Sequence, residues 1–139
     1  MSAIRHRSGP TLDQIIETVR RRHGPQAAQR AVGAVARELR LVIDQSFNAQ
    51  ATPEGVPWRP LKQPRPGRRI LQRTGTLRRR AVNVLLFGNT VRVQMPPYGA
   101  LHISGTSRMP ARPFVPTSPL DPALRVRFQQ AIARAVLDA

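Results

Sequence analysis

Groups that could carry acid–base or nucleophilic chemistry are scarce in this sequence, which has three histidines, seven acids and no cysteine in 139 residues. His102 has the most suggestive surroundings, because Tyr98 and Ser104 stand close to it in the chain. A nucleophile needs a base and an orienting carboxylate within reach, and no acid stands in such a motif. We therefore predict that the protein is not an enzyme, and we expect His102 to bond a neighbouring backbone group.

Cofactor, metal and membrane sites are not indicated either. The sequence contains neither the P-loop nor the dinucleotide-binding glycine motif, and its histidines and acids show no metal-ligand spacing. No apolar run approaches the ~20 residues that span a bilayer, and the N-terminus lacks the apolar region of a secretory signal. We predict no cofactor, no metal and no membrane partner.

Positive charge is the dominant feature of the composition. There are 23 basic residues against seven acids, a formal net charge of +16, and Lys62 is the single lysine. A GC-rich genome would explain arginine in place of lysine, but not the deficit of acids. Arginine forms paired hydrogen bonds with phosphates and carboxylates, and this much charge repels itself in a compact monomer. The composition therefore predicts a polyanion or an acidic partner.

The basic residues are densest between positions 62 and 80, where eight occur in 19 residues without an acid. Motifs that read a base sequence are missing, and aromatic residues for base stacking are nearly absent, so we expect contact with the nucleic-acid backbone alone. A solvated basic loop is the alternative. The residues predicted to face DNA or an acidic partner are Lys62, Arg65, Arg68, Arg69, Arg73, Arg78, Arg79 and Arg80.

Two helices are predicted before this basic segment. Thr11 and Gln14 have the spacing of a capping box that opens a short helix, which stops before Gly24. Pro25 suits the first turn of a second helix. That helix runs to about Ala49 and has the strongest three- and four-residue apolar repeat in the chain. Its other face carries Arg30, Arg37, Glu38 and Arg40.

The remainder of the chain alternates between loops and short elements. Prolines and glycines predict an extended loop over 51–70, followed by a short helix at 70–81. Aliphatic residues at 82–87 and 90–95, joined by Gly88-Asn89, predict a hairpin. A turn or helical piece over 98–105 and an extended, proline-bounded stretch over 109–115 follow. Asp121-Pro122 is expected to cap a last helix that runs to about Leu137.

This order predicts an α+β fold, in which a long N-terminal helix and a C-terminal helix pack on a small antiparallel sheet, with long proline-rich loops. Residues 1–10 are predicted to be a flexible basic arm. Residues 11–139 are predicted to form a single domain, which the chain length allows.

Five short motifs follow one another through the middle of the chain. They are Phe47, then Gly55-Val56-Pro57-Trp58-Arg59-Pro60-Leu61, then Ile70-Leu71-Gln72-Arg73-Thr74-Gly75-Thr76-Leu77, then Tyr98-Gly99-Ala100-Leu101-His102-Ile103-Ser104-Gly105, then Met109-Pro110-Ala111-Arg112-Pro113-Phe114-Val115. In order and rough spacing, over residues 47–121, they resemble the phage virion morphogenesis family, which includes Mu-like and P2-like tail completion proteins. Gly99 replaces the usual alanine of that pattern, and Ile103 replaces a residue that is commonly polar.

The resemblance implies a structural virion protein at the neck, or head–tail junction, or in tail completion. Such a protein assembles in the host cytoplasm into a ring of six or twelve copies around the DNA conduit. Its implied partners are neighbouring neck, portal-adaptor or tail-tube proteins and packaged DNA. The expected subunit-interface or fold anchors are Phe47, Trp58, Leu61, Tyr98, His102, Arg112 and Phe114. The alternative is a free protein that binds nucleic acid through its arginines without regard to sequence.

Overall fold

The computed structural model describes residues 11–60, 83–87, 90–95, 97–107, 109–116 and 120–137. The predicted arm at 1–10, the predicted helix at 70–81 and the Gly88-Asn89 turn lie outside the described residues. Four helices and one hairpin occur in the described ranges: α1 (Leu12–His23), α2 (Pro25–Ala49), β1 (Asn83–Phe87), β2 (Thr90–Gln94), α3 (Pro97–Ser104) and α4 (Pro122–Leu137).

The first two helices begin and end where the sequence predicts. The Gln14 N–H donates to Thr11 Oγ1 at 3.2 Å, and the Thr11 N–H donates to Gln14 Oε1 at 2.9 Å, which completes the capping box. α1 ends at Gly24, whose φ of 93° disfavours residues with a side chain. Pro25 then begins α2, and Gln50 ends it in the left-handed conformation with a φ of 53°.

The cap of the last helix is also confirmed. Asp121 Oδ2 accepts the N–H of Ala123 at 3.1 Å and that of Leu124 at 3.4 Å. Two otherwise unpaired donors of the first turn are thereby satisfied, and Pro122 occupies the first helical position, where its missing N–H costs nothing. α4 therefore begins at the predicted residue.

A first core lies between α1, α2 and α4, and α2 makes its most extensive contacts with α4. The prediction placed α4 on the sheet, but the helix packs chiefly on α2. Fully burying one large aliphatic or aromatic side chain contributes about 1.5–3 kcal/mol, so this three-helix contact is a main source of stability. The buried residues are Ile16, Ala28, Ala31, Val32, Val35, Val42, Leu124, Phe128 and Ile132.

Glu38, which the sequence assigns to the other face of α2, is largely covered. Its carboxylate pairs with the guanidinium of Arg127 on α4, and its side chain is only 12% exposed. Arg127 Nη1 also donates to Gln45 Oε1 at 2.6 Å. The pair thus bridges the two helices along one edge of the first core. Arg37, by contrast, is exposed.

The hairpin pairs antiparallel, from Asn83 opposite Gln94 to Phe87 opposite Thr90, in agreement with the prediction. Val93 is half-buried whereas Gln94 is exposed, so one face of β2 packs inward and the other meets solvent. This hairpin is the one sheet found among the described residues. The helical part of the predicted α+β fold is confirmed, and the hairpin is what the described residues show of the predicted small antiparallel sheet.

Candidate functional site

Several predicted anchor residues meet beside the C-terminal half of α2. Ile43, Phe47, Trp58 and Phe114 form a second buried cluster, which we call the aromatic core. The ring centroids of Phe47 and Trp58 lie 5.7 Å apart, with their planes at 85°, and those of Phe47 and Phe114 lie 5.1 Å apart. Edge-to-face and tilted arrangements at these separations are favourable for aromatic pairs. Three sequence-distant motifs are therefore joined by one rigid contact.

A short closed loop over 51–58 carries Trp58 into the aromatic core. The Thr52 N–H donates to the Val56 carbonyl at 2.7 Å, and the Val56 N–H donates back to Thr52 Oγ1 at 3.1 Å. The Trp58 N–H donates to the Gln50 carbonyl at 2.8 Å. The first residues of the predicted extended loop thus form a tight turn, and the end of that predicted loop lies outside the described residues.

Two side chains tie this closed loop to the proline-bounded stretch that follows α3. Trp58 Nε1 donates to the Pro113 carbonyl at 2.8 Å. In the opposite direction, Arg112 Nε donates to the Arg59 carbonyl at 3.0 Å and its Nη2 donates to the Pro60 carbonyl at 3.2 Å. The two segments therefore hold each other by reciprocal side-chain to backbone bonds.

Arg112 is buried to an unusual degree for an arginine, at 7% exposure. Burial lowers the pKa of Arg112, yet a guanidinium keeps its proton in proteins. Its side-chain hydrogen bonds go to backbone carbonyls, so their dipoles stabilise its charge. The sequence names Arg112 as an anchor without revealing these two bonds. The available signal is an arginine enclosed by prolines and followed by an aromatic residue.

The turn after α3 receives this stretch through backbone contacts. The Arg112 N–H donates to the His102 carbonyl at 2.7 Å. Gly105 has a φ of 76°, and a Cβ placed on it would lie 2.7 Å from the Ala111 nitrogen. A side chain at position 105 would therefore collide with backbone as well as strain its own conformation.

The imidazole of His102 is half-buried beside this turn. Its Nδ1 is buried and has no hydrogen-bond partner among the described residues, so the predicted bond to a neighbouring backbone group is not made by that atom. Burial, and then the charge of Arg112, lower the pKa of His102, so the ring is neutral at pH 7. Ser104 Oγ donates to the Ala100 carbonyl at 3.1 Å.

The predicted contact residues for DNA or an acidic partner all lie outside the described residues, as do Leu61 and the side chain of Tyr98. The described residues on either side of that segment lie close to the aromatic core. Arg112 holds Pro60, and Val84, next to Asn83, packs against the aromatic core. The described residues nearest to that segment in the chain therefore lie beside the same buried cluster. The predicted contact residues that lie outside the described residues are Lys62, Arg65, Arg68, Arg69, Arg73, Arg78, Arg79 and Arg80.

Within the described ranges, no group of three or more histidine and acidic residues is placed to hold a metal ion. No helix in those ranges is both long and apolar enough to cross a bilayer.

The sequence matches the model of the phage virion morphogenesis family over residues 9–124. The chain belongs to this family. The match includes α1 and α2 and extends into α4, and so reaches further than the motifs at 47–121. Membership of the phage virion morphogenesis family indicates a structural or assembly role in the phage virion. No significant match was found among curated proteins or among solved structures.

Two departures from the pattern of the phage virion morphogenesis family have a packing explanation. Gly99 is buried, and a Cβ placed on it would lie 3.1 Å from the Met95 sulfur, so Met95 occupies the space of the usual alanine methyl group. Ile103 packs against the aromatic core, where an apolar side chain is favourable. Both departures fit the local structure of this chain.

Proposed function

We propose that the protein is a non-enzymatic structural component of the phage neck or of tail completion. It forms a ring of six or twelve copies around the DNA conduit, with its basic segment at residues 62–80 directed at the DNA. The observation that carries the proposal is the aromatic core together with the two hydrogen bonds by which Arg112 holds Arg59 and Pro60. In a chain of this family, these contacts hold in place the described residues that flank the basic segment.

The geometry at the ends of the basic segment supports a role that depends on position. Trp58 is buried, and Arg112 holds the two residues that follow it, so the chain leaves the core at a defined place. On the other side, Val84 returns the chain to the aromatic core. A dense group of arginines between two such anchored positions in the sequence can neutralise phosphates without reading bases.

Exposed apolar residues on the same part of the molecule support protein partners. Val56 in the closed loop is 61% exposed and Leu101 on α3 is 47% exposed. Single exposed apolar residues are ordinary, but these two flank the segments that the anchor residues hold. We propose that neighbouring subunits, or adjacent neck, portal-adaptor or tail-tube proteins, contact this part of the virion-bound protein.

Electron microscopy of the purified protein, alone and mixed with its portal or tail tube, tests the assembly. Rings, or a ring-shaped density on the portal or tube, are expected. A protein that stays monomeric and associates with neither structure would contradict the proposal. Mass photometry of the same samples gives the number of copies.

A substitution experiment tests which partner the basic segment faces. The six arginines of the segment that are changed to glutamine are Arg68, Arg69, Arg73, Arg78, Arg79 and Arg80. If the segment faces DNA, the variant still forms rings and particles but retains DNA poorly. If ring formation itself fails while folding is intact, the segment faces an acidic protein instead.

The charge distribution favours one second candidate, a protein that binds nucleic acid as a monomer. The described residues contain twelve arginines and six acids, so they carry +6 of the formal +16, and the undescribed residues carry the remaining +10. Tight, steeply salt-dependent DNA binding by the isolated monomer would favour this candidate. Weak binding that becomes tight only on assembly would favour the ring.

A further inference from the structure

One end of the three-helix bundle carries a second concentration of positive charge, separate from the basic segment. Four consecutive basic residues form the last turn of α1, and the first two turns of α2 and the last turn of α4 add one arginine each. Apart from Arg20, which is partly exposed, all of these side chains are exposed. We call this surface the bundle end; its basic residues are Arg20, Arg21, Arg22, His23, Arg30 and Arg134.

The three helices contribute to the same surface because of how they pack. Gly24 alone separates the end of α1 from the start of α2. Arg30 Nε donates to the Ala135 carbonyl at 3.3 Å, which places the last turn of α4 beside the second turn of α2. Arg134 is the neighbour of Ala135, and α1 also contacts α4. The arginines therefore lie around one end of the bundle.

Little negative charge offsets these side chains. Glu17 is the one described acid close to them in the chain, and it pairs with Arg20 at 3.4 Å. The first turn of α2 contains no acid and has no side-chain cap, so the positive end of that helix adds to the surface. Among the described residues, five arginines and one glutamate sum to a charge of about +4, with His23 counted as neutral.

Compensation of the helix dipoles does not account for the positive charge of the bundle end. Each helix terminus corresponds to about half an elementary charge. The C-terminal ends of α1 and α4 and the N-terminal end of α2 therefore sum to about −0.5, much less than the charge of the side chains. A positive potential remains at the bundle end, and it is available to an external anion.

We propose that the bundle end binds the phosphate backbone of nucleic acid, independently of base sequence. Phosphate contacts need only cations and backbone N–H groups, and these are what this surface offers. A protein interface is usually centred on aromatic or large apolar residues. Among the described residues here, Leu137 is the one large apolar side chain exposed at this end, at its edge.

This site is distinct from the basic segment and does not depend on the virion role. The aromatic core contains Phe47, near the end of α2, whereas α2 begins at the bundle end with Pro25. At 1.5 Å per residue, about 33 Å of helix separates the two positions. The bundle end is therefore far from the described residues that flank the basic segment in the chain.

The test compares two triple variants of the full chain that lose the same charge. The bundle-end variant carries Arg21→Gln, Arg22→Gln and Arg134→Gln. The control variant carries Arg37→Gln, Arg92→Gln and Arg125→Gln, which lie elsewhere on the described surface. Binding of a fluorescent 20-base-pair duplex is measured by anisotropy between roughly 50 and 300 mM salt, the range over which phosphate contacts are resolved.

Each lost phosphate contact is expected to lower the slope of log affinity against log salt concentration by about 0.9. If the affinity at 1 M salt is unchanged, this loss corresponds to about eightfold weaker binding at 0.1 M salt. The bundle-end variant should lose up to about 2.7 in slope, and the control variant clearly less. A third variant with lysine at the three bundle-end positions should restore most of the binding, because it restores the charge.

Three results would overturn the proposal. Equal losses in both glutamine variants would show that only net charge matters, and no loss in either would show a solvated surface. Weakened binding of poly-L-glutamate with unchanged binding of the duplex would indicate an acidic protein partner instead. Circular dichroism melts of all three variants separate a loss of folding from a loss of contacts.

Discussion

The indole Nε1–H of Trp58 donates a 2.8 Å hydrogen bond to the carbonyl of Pro113, 55 residues further along the chain. The bond is made inside the aromatic core, where Trp58 is 5% exposed. A buried carbonyl without a partner costs about 1–3 kcal/mol. The bond therefore fixes both the depth of the indole and the path of the proline-bounded stretch.

Replacing Trp58 should separate packing from hydrogen bonding. Trp58→Ala should lower the free energy of unfolding by about 3–5 kcal/mol, because it leaves a cavity and an unpaired carbonyl. Trp58→Phe keeps much of the packing and should cost about 1–3 kcal/mol. Urea unfolding followed by circular dichroism measures both. Val56→Ala, in the same loop but exposed, is the control and should change stability by less than about 0.5 kcal/mol. A larger loss in this control would contradict the assignment of Trp58 as the buried anchor of the loop.

Replacing Arg112 by lysine tests the hydrogen bonds that Arg112 donates to the carbonyls of Arg59 and Pro60. An ammonium group lacks the planar fork that reaches two carbonyls at once. Arg112→Lys should therefore lower stability by roughly 2 kcal/mol, since hydrogen bonds to charged groups contribute about 1.5–3 kcal/mol each. Arg37→Lys, on the exposed face of α2, is the matched control. A thermal melt that shows equal shifts for the two variants would exclude a special role for Arg112.

Two glycines offer opposite outcomes for the same substitution. Gly105→Ala should destabilise the protein by more than about 2 kcal/mol, because a left-handed conformation with a Cβ costs about 1–2 kcal/mol and the Cβ meets the Ala111 backbone. Gly33→Ala lies in α2, where the Cβ would approach only the end of the Arg37 side chain at 3.4 Å. It should stabilise by up to about 1 kcal/mol. Matching signs in denaturant unfolding would refute this reading.

The pH dependence of stability should report on His102. Its pKa in the folded protein lies below the ordinary value of 6.5, owing to burial and then to Arg112. The unfolded chain therefore takes up a proton first as the pH falls. The contribution of His102 is complete above about pH 6.5 and is lost progressively as the pH falls through the lower, folded pKa.

The measurable quantity is the difference in unfolding free energy between the wild-type protein and His102→Asn, from about pH 4.5 to 8. The carboxylates contribute equally to both proteins, so the difference isolates the imidazole. The wild-type advantage should shrink as the pH falls below 6.5. A constant difference across this range would show that His102 does not titrate differently on folding.

Local patterns were sufficient to predict the ends of the helices. The Thr11–Gln14 capping box and the Asp121-Pro122 start both depend on residues within one turn of each other. The apolar repeat of α2 was also readable, because one face of that helix is buried along most of its length. Such features need no knowledge of distant parts of the chain.

The site depends on contacts that no local pattern contains. The two bonds from Arg112 reach back 53 and 52 residues, and the partner of Glu38 lies 89 residues away. Glu38 stands at the edge of the apolar face of α2, so its periodicity is equally consistent with solvent. Only the position of α4 decides that this carboxylate is covered.

The contribution of α4 to the first core has a consequence for folding during synthesis. Leu124, Phe128 and Ile132 fill the space against α2, yet they are translated long after α1 and α2. The α1–α2 pair can associate early because its contacts are local. The apolar side of α2 then stays open until residues 122–137 leave the ribosome. During that interval the nascent chain exposes an apolar, aggregation-prone surface. Chaperones that bind this surface should therefore be released only once α4 has emerged.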